Sequence, residues 1–258
     1  MNDPHVEWLE YELEAGWEFD KPPSLPWTTA VFHATLGNGI LRVELLEHYA
    51  TELDAKAAVE PFLQSWELDV ALTCGRREMT FAYKHASVVD RNPPPPGVPI
   101  IGMAATSMGR ASMSATGTVT RTTYPLPPTN FKADPDVLTL WGRYEGYKAG
   151  LEPLASMAYF CFTLLASRHG KVGAVSKALA VSQPVLRKIS ELSTTRGDAS
   201  TARKMTPDIT PFATAETQWL DAALRAIIRR VGETAAGHKA PQLTFSNLPP
   251  LEISQGKT

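Results

Sequence analysis

Apolar and polar positions alternate with a period of two through much of the first half of the chain, and recur at helical spacing through most of the second. Thr29–Thr35 and Ile40–Tyr49 are β-rich runs around Gly37-Asn38-Gly39. Asn-Gly tolerates positive φ at both central positions, so the spacing predicts a tight hairpin. The glycines are not a phosphate loop, because no Lys-Ser/Thr pair follows them. Asp54 is placed to N-cap a helix through Ala57, Ala58, Phe62, Leu63 and Trp66, with Pro61 kinking or restarting it. Leu68–Leu72 and Met79–Val89 then read as strands around a Cys74-Gly75-Arg76-Arg77 turn. Pro93–Pro96 and Gly97 form a stiff connector to Val98–Thr106 and to a long strand over Ala111–Tyr124. That strand puts Ser112, Ser114, Thr116, Thr118, Thr120 and Thr122 on one face, and Met113, Ala115, Gly117 and Val119 on the other. Such alternation marks an antiparallel strand with one solvated face; contact of the hydroxyl row with a ligand is the alternative.

Period-two patterning stops at Pro125, Pro127 and Pro128. Asp134-Pro135 opens a helix, with Asp as N-cap and Pro in the first turn. Val137, Leu140, Trp141 and Tyr144 form its apolar stripe. Gly142, Gly146 and Gly150 share another face; each glycine inside a helix costs ~1 kcal/mol against alanine. The first two therefore predict close approach of another backbone, within the protein or across a homodimer, and Gly150 reads as a terminator before Pro153. Leu154–Ser167 is apolar almost all round, as a central bundle helix or an interface helix is. Arg168-His169-Gly170 closes it, cations at the negative helix end and glycine as terminator. Thr214 is placed to N-cap a last helix, with Thr217 at the capping-box position. Trp219, Leu220, Ala223, Leu224, Ile227, Ile228 and Val231 form its stripe; Arg225, Arg229 and Arg230 lie outside it, and Gly232 or Gly237 ends it.

The fold class expected is α+β: an N-terminal antiparallel sheet domain with one packed helix over residues 1–128, an all-α helical domain over 131–238, and a flexible tail over 239–258. With 258 residues and 43% hydrophobic content, each domain is large enough to bury a core. Only Cys74 and Cys161 occur, which excludes a disulfide framework and a cysteine-based metal site. His33, His48 and His85, with Glu44 and Glu47 near His48, have no metal-ligand or catalytic spacing, so no metal, cofactor or catalytic residue is expected. The first twenty residues hold seven acids and no Lys or Arg, unlike a targeting leader, and the longest apolar stretch is too short for the ~20 residues of a membrane helix. A cytoplasmic protein without a membrane partner is the expectation.

Charge changes the picture. A net charge of −2 conceals 16 acids and 9 bases over residues 1–130, against 11 acids and 16 bases over residues 131–258. A basic half points to a polyanion; mutual attraction of the halves, or plain solvation of helix faces, is the alternative.

Within the basic half, Lys171–Leu192 reads as two short helices broken at Ala180-Val181-Ser182, with Ser182 as N-cap and Pro184 in the first turn of the second. Val175, Leu179, Val181, Leu186 and Ile189 fall at the positions that hold such a pair together, with Ser176 where the helices cross. This segment resembles the helix-turn-helix of bacterial transcription regulators, and Ala178-Leu-Ala-Val-Ser-Gln-Pro is similar to the LysR type. The resemblance covers about twenty residues and departs at Ala180, where many such motifs carry Gly. It implies a recognition helix beginning Ser182, Gln183, Val185, Arg187, Lys188, with Gln183 at base edges and Lys177, Arg187 and Lys188 at phosphates. Arg196, Arg203 and Lys204 extend the basic run. A plain helical hairpin shows the same apolar pattern.

The sheet-then-helices order, with its very apolar central helix, also resembles bacterial HEPN-type proteins. That resemblance implies a dimeric bundle with an RNase, toxin-antitoxin or phage-defence role. The family's signature is Arg, four to six residues, then His. The segment Arg196–Lys204 contains no His, and Arg230 and His238 are separated by seven residues, so no general base is supplied and an inactive relative stands beside the active one among the implications of this resemblance. The leading expectation is a non-enzymatic nucleic-acid-associated protein, DNA favoured over RNA, with a homodimer formed through Gly142, Gly146 and the 154–167 helix. An adaptor using those apolar helices is a third class.

Overall fold

In the computed structural model, which describes residues 3–92, 119–197 and 209–251, the chain divides into two units, Met1–Pro128 and Thr129–Thr258. The first is an antiparallel sheet with a packed helix and the second is helical, so the fold is α+β.

The sheet of the first unit has the order β3-β4-β5-β1-β6, with β1 Pro4–Ala15, β3 Leu25–Thr28, β4 Phe32–Gly37, β5 Ile40–Leu45 and β6 Met79–Asp90. The acidic N-terminal run is thus a twelve-residue strand with neighbours on both sides. Leu9 and Tyr11 are buried, while Glu12 and Glu14 are exposed, which is the alternation a sheet with one packed face requires. β4 and β5 form the expected hairpin; Asn38 and Gly39 turn the chain at φ of 52° and 76°. The short strand β2, Trp17–Phe19, pairs in parallel with β7, Val119–Arg121. Of the long antiparallel strand expected over Ala111–Tyr124, residues 119–124 are described: the strand ends at Arg121, short of Tyr124, and its pairing is parallel; Pro93–Gly97, Val98–Thr106 and Ala111–Thr118 lie outside the described residues.

Helix α1, Glu52–Cys74, corrects three expectations. Its N-cap is Thr51, whose Oγ1 accepts a hydrogen bond from the Asp54 amide at 3.2 Å; Asp54 stands one turn inside and accepts from the Thr51 hydroxyl at 2.6 Å. The helix runs through Pro61, which sits on its exposed side, where an unpaired carbonyl has access to water. Leu68–Leu72 is the last part of this helix and not a strand: Val59, Leu63, Trp66 and Val70 recur at helical spacing on the core face, which a strand has no means to bury together. Gly75 ends the helix in the left-handed region, at φ 77°. Trp66 is fully buried and makes an edge-on contact with Trp27 at 4.8 Å.

The second unit holds α2 Pro135–Lys148, α3 Leu154–His169, α4 Val172–Leu179, α5 Gln183–Thr195 and α6 Thr214–Ala235. Asp134 caps α2 as expected, its Oδ1 accepting from the Val137 amide at 2.8 Å. Helix α3 touches α2, α4, α5 and α6, the central position its apolar sequence demands, with Leu154, Ala155, Met157, Ala158, Cys161 and Leu165 buried. Helix α6 departs from the expected cap. Residue 213 is alanine, and the Glu216 carboxylate reaches back to accept from the Ala213 amide at 3.1 Å, so Glu216 rather than Thr217 fills the capping-box role. Gly232 lies inside α6, pressed by Phe131 so closely that a Cβ would fall 2.2 Å from a ring carbon; the terminator is Gly237, at φ 74°.

The segment after α6 is not a loose tail as far as residue 250. Leu243 is buried and pairs with Val181 in a parallel bridge, and Phe245 stacks on Trp219 with ring centroids 5.2 Å apart.

Candidate nucleic-acid interface

Helices α4 and α5 meet at the break the sequence marks. Ala180 takes φ 50° and ψ 44°, so the turn uses the left-handed region despite lacking glycine. The strap through Leu243 fixes this turn: the Leu243 amide donates to the Ala180 carbonyl at 2.7 Å, and the Ser182 amide donates to the Leu243 carbonyl at 2.8 Å. Ser182 occupies the N-cap position of α5, and its side chain makes no capping bond. Pro184 falls in the first turn, where no backbone donor is needed.

One face of the pair is core. Val175, Leu179, Val181, Val185, Leu186, Ile189 and Leu192 are all at most 2% exposed, and α5 lies against α3, α4 and α6. Val185, placed by the resemblance among the residues that begin the recognition helix, therefore packs inward and is out of reach of any ligand. The other face is open. Lys177, Gln183 and Arg187 are exposed, Ser182 and Lys188 partly so. Arg187 donates to the Gln183 Oε1 at 3.1 Å, one turn apart on α5, and the Gln183 amide nitrogen lies 3.7 Å from where a Cβ on Gly173 would stand. Lys188 pairs with Glu191 at 2.6 Å. Neither Lys177 nor Arg187 has an acidic partner within 4 Å among the described residues.

The remaining sequence-derived positions separate from this group. Arg196 is not a free cation: its guanidinium grips the Glu216 carboxylate through two 2.8 Å bonds, with the side chains 24% and 14% exposed. The hydrogen bond from Arg196 holds the Glu216 carboxyl below its usual range, against an opposing effect of burial. Arg196 thus fastens the segment after α5 to the start of α6. Arg203 and Lys204 lie outside the described residues. Arg230 is bonded to Glu233 at 2.7 Å and is 14% exposed, and His238 follows the end of α6.

Sequence reasoning missed Glu216 and Leu243. A Glu three residues beyond a helix start was the available signal for the first; an isolated leucine in a polar, proline-rich stretch gave none for the second. Among the described residues no group of three or more His, Cys, Asp or Glu is placed to hold a metal ion, and no helix is long and apolar enough to cross a membrane. Both cysteines are free; burial pushes the Cys161 thiol up to about 12, so it stays protonated and serves as core. No protein-family model, curated protein or solved structure matches the chain.

Proposed function

We propose that the protein is a non-enzymatic DNA-associated protein of regulatory type, with α4 and α5 as a helix-turn-helix reading head. The observation that supports this most is the division of α5 into a buried apolar face and an exposed face that opens with Gln183 and Arg187. A major groove admits one helix, and the first turns of that helix carry the side chains that reach base edges. Gln183 has the bidentate amide that suits adenine, while Arg187 and Lys177 supply charge for phosphates. Lys188 and Ser182 play a lesser part, being partly covered. The protein acts in the cytoplasm in this reading.

A two-fold partner belongs to the same proposal. Gly142 lies on the outward face of α2 with nothing within 4 Å of a Cβ built on it, and Leu138 on that face is 41% exposed. Close packing at Gly142 is therefore not supplied among the described residues of the unit, and a second copy meets the requirement. Two copies place two reading heads on the half-sites of a palindrome. No described contact favours the RNase or adaptor alternatives.

The test is selection of duplex DNA from a random pool with the full chain, followed by affinity measurement over a range of salt. An enriched palindromic sequence is expected, with Gln183→Ala costing about 1–3 kcal/mol on that sequence and little on random duplex. Sedimentation of Gly142→Glu is expected to show monomer where the native chain shows dimer. No enriched sequence, with affinity insensitive to salt, overturns the reading.

A further inference from the structure

A cavity of about 390 Å³ opens between the end of α4 and the end of α6, beside the helix-turn-helix break. Its lining includes Lys177, Arg230, His238 and Lys239, with Glu233 as the single acid and Leu179 and Ala180 at one side. Glu233 is already committed to Arg230, which leaves two lysines and an imidazole facing the space without a neutralising carboxylate of the lining.

Helix C-termini ordinarily attract cations, and two of them end here. At both, however, several of the carbonyls are met by backbone amides. The Ser176 carbonyl accepts from Val181 at 3.1 Å and the Ala180 carbonyl from Leu243 at 2.7 Å. The Glu233 and Thr234 carbonyls each accept at 2.9 Å, from His238 and Gly237. With these acceptors occupied, fewer carbonyls are left to pair with the lysines, and the formal charge of the lining side chains is positive. The surplus is positive, confined and partly enclosed, which suits an anion with several acceptor oxygens.

We infer that this cavity binds a phosphate group, with Lys177 and Lys239 on its oxygens and His238 as a further donor. The group comes either from the backbone of bound DNA or from a free phosphorylated compound. The first source rests on the nucleic-acid reading and the second does not. Lys177 belongs to both the cavity and the reading head, so occupancy by a free compound withdraws a cation from the DNA-facing surface.

The experiment is a titration of inorganic pyrophosphate into the full chain, followed by the ring resonances of His238 and by calorimetry. Saturable binding is expected, weakened at least about tenfold by Lys239→Ala, which removes a cation paired directly with the anion. His238→Gln, which keeps a donor but no charge, serves as a second variant, with an unchanged melting temperature as control for folding. A non-saturating response, or one that neither variant alters, overturns the inference. The salt dependence of duplex binding by Lys239→Ala then separates the sources. A slope lower by about one assigns the cavity to a backbone phosphate; an unchanged slope, with pyrophosphate bound by the native chain and weakened in the variant, assigns it to a free compound. Pyrophosphate binding without any duplex binding likewise assigns a free compound and overturns only the DNA reading.

Discussion

The two units put charge to opposite uses. In the sheet unit, acids line the solvated face of β1 and are answered across the strands: Glu10 by Lys84 at 3.5 Å, Glu14 by the Thr80 hydroxyl at 3.3 Å. In the helical unit, Lys177 and Arg187 have no such answer among the described residues, although Lys188, Arg196, Arg225 and Arg230 in the same unit are all paired. A charged face closed upon itself stabilises a fold; one left open is available to a ligand. The contrast says more than net charge does, because among the described residues it separates Lys177 and Arg187, which have no acidic partner within 4 Å, from the paired arginines of the same unit.

The largest effects belong to the two cores. Trp66→Ala and Trp219→Ala each remove a fully buried indole and are expected to cost about 3–5 kcal/mol. Hydrogen exchange provides the comparison: Trp66→Ala lowers protection in β1 and β6 and spares α3 and α5, while Trp219→Ala does the reverse. Equal loss of protection everywhere breaks the picture of two units with separate cores.

Next in size is the Arg196–Glu216 clasp. Arg196→Ala leaves a largely buried carboxylate without its partner and is expected to cost about 1–3 kcal/mol in urea unfolding, with duplex affinity unchanged. Its pH dependence sharpens the contrast between the units. The folded-state pKa of Glu216 is depressed, so its stabilisation is complete above the ordinary carboxylate range and disappears as pH falls through the depressed value. Glu67 in α1 is the opposite case. Burial raises its pKa despite a hydrogen bond from the Phe81 amide, so acidification toward the ordinary range relieves the first unit rather than weakening it. Exchange rates followed from neutral pH downward are expected to show the start of α6 losing protection only below the ordinary carboxylate range, whereas α1 shows no loss of protection on the way down to that range. The Glu216→Gln variant is expected to lack that acid-side decline.

The smallest effect tests the turn. Ala180→Gly removes the Cβ from a left-handed residue and is expected to stabilise the second unit by about 0.5–1 kcal/mol in thermal unfolding, without changing what binds. A loss of stability shows that the Leu243 strap, rather than the residue's own preference, sets this conformation.

These residues also show which features the sequence carries openly. Local rules placed the Asn38-Gly39 hairpin, the Asp134 cap and the α4–α5 break, because each depends on backbone preferences of a few neighbouring residues. The errors arose where distant packing outweighs such preferences. Pro61 suggested an interruption, yet the helix continues because its core face runs on through Val70. The glutamates of β1 concealed a central strand, since a solvated sheet face accepts them at every second position. At the candidate interface, the apolar positions that hold α4 on α5 were legible from spacing. The engagement of Arg196 by Glu216, twenty residues on, was not, and neither was the strap that fixes the turn. Both depend on chain segments meeting from afar.

The central claim is that the exposed face of α5 touches DNA. Its most direct test compares native chain, Arg187→Ala and Gln183→Ala in duplex binding across salt, with thermal unfolding measured on the same samples. The account predicts unfolding temperatures equal to native, because both side chains are solvent-facing, together with a salt slope lower by about one for Arg187→Ala and lost sequence preference for Gln183→Ala. Native affinity, slope and preference in both variants, with the fold intact, would contradict it.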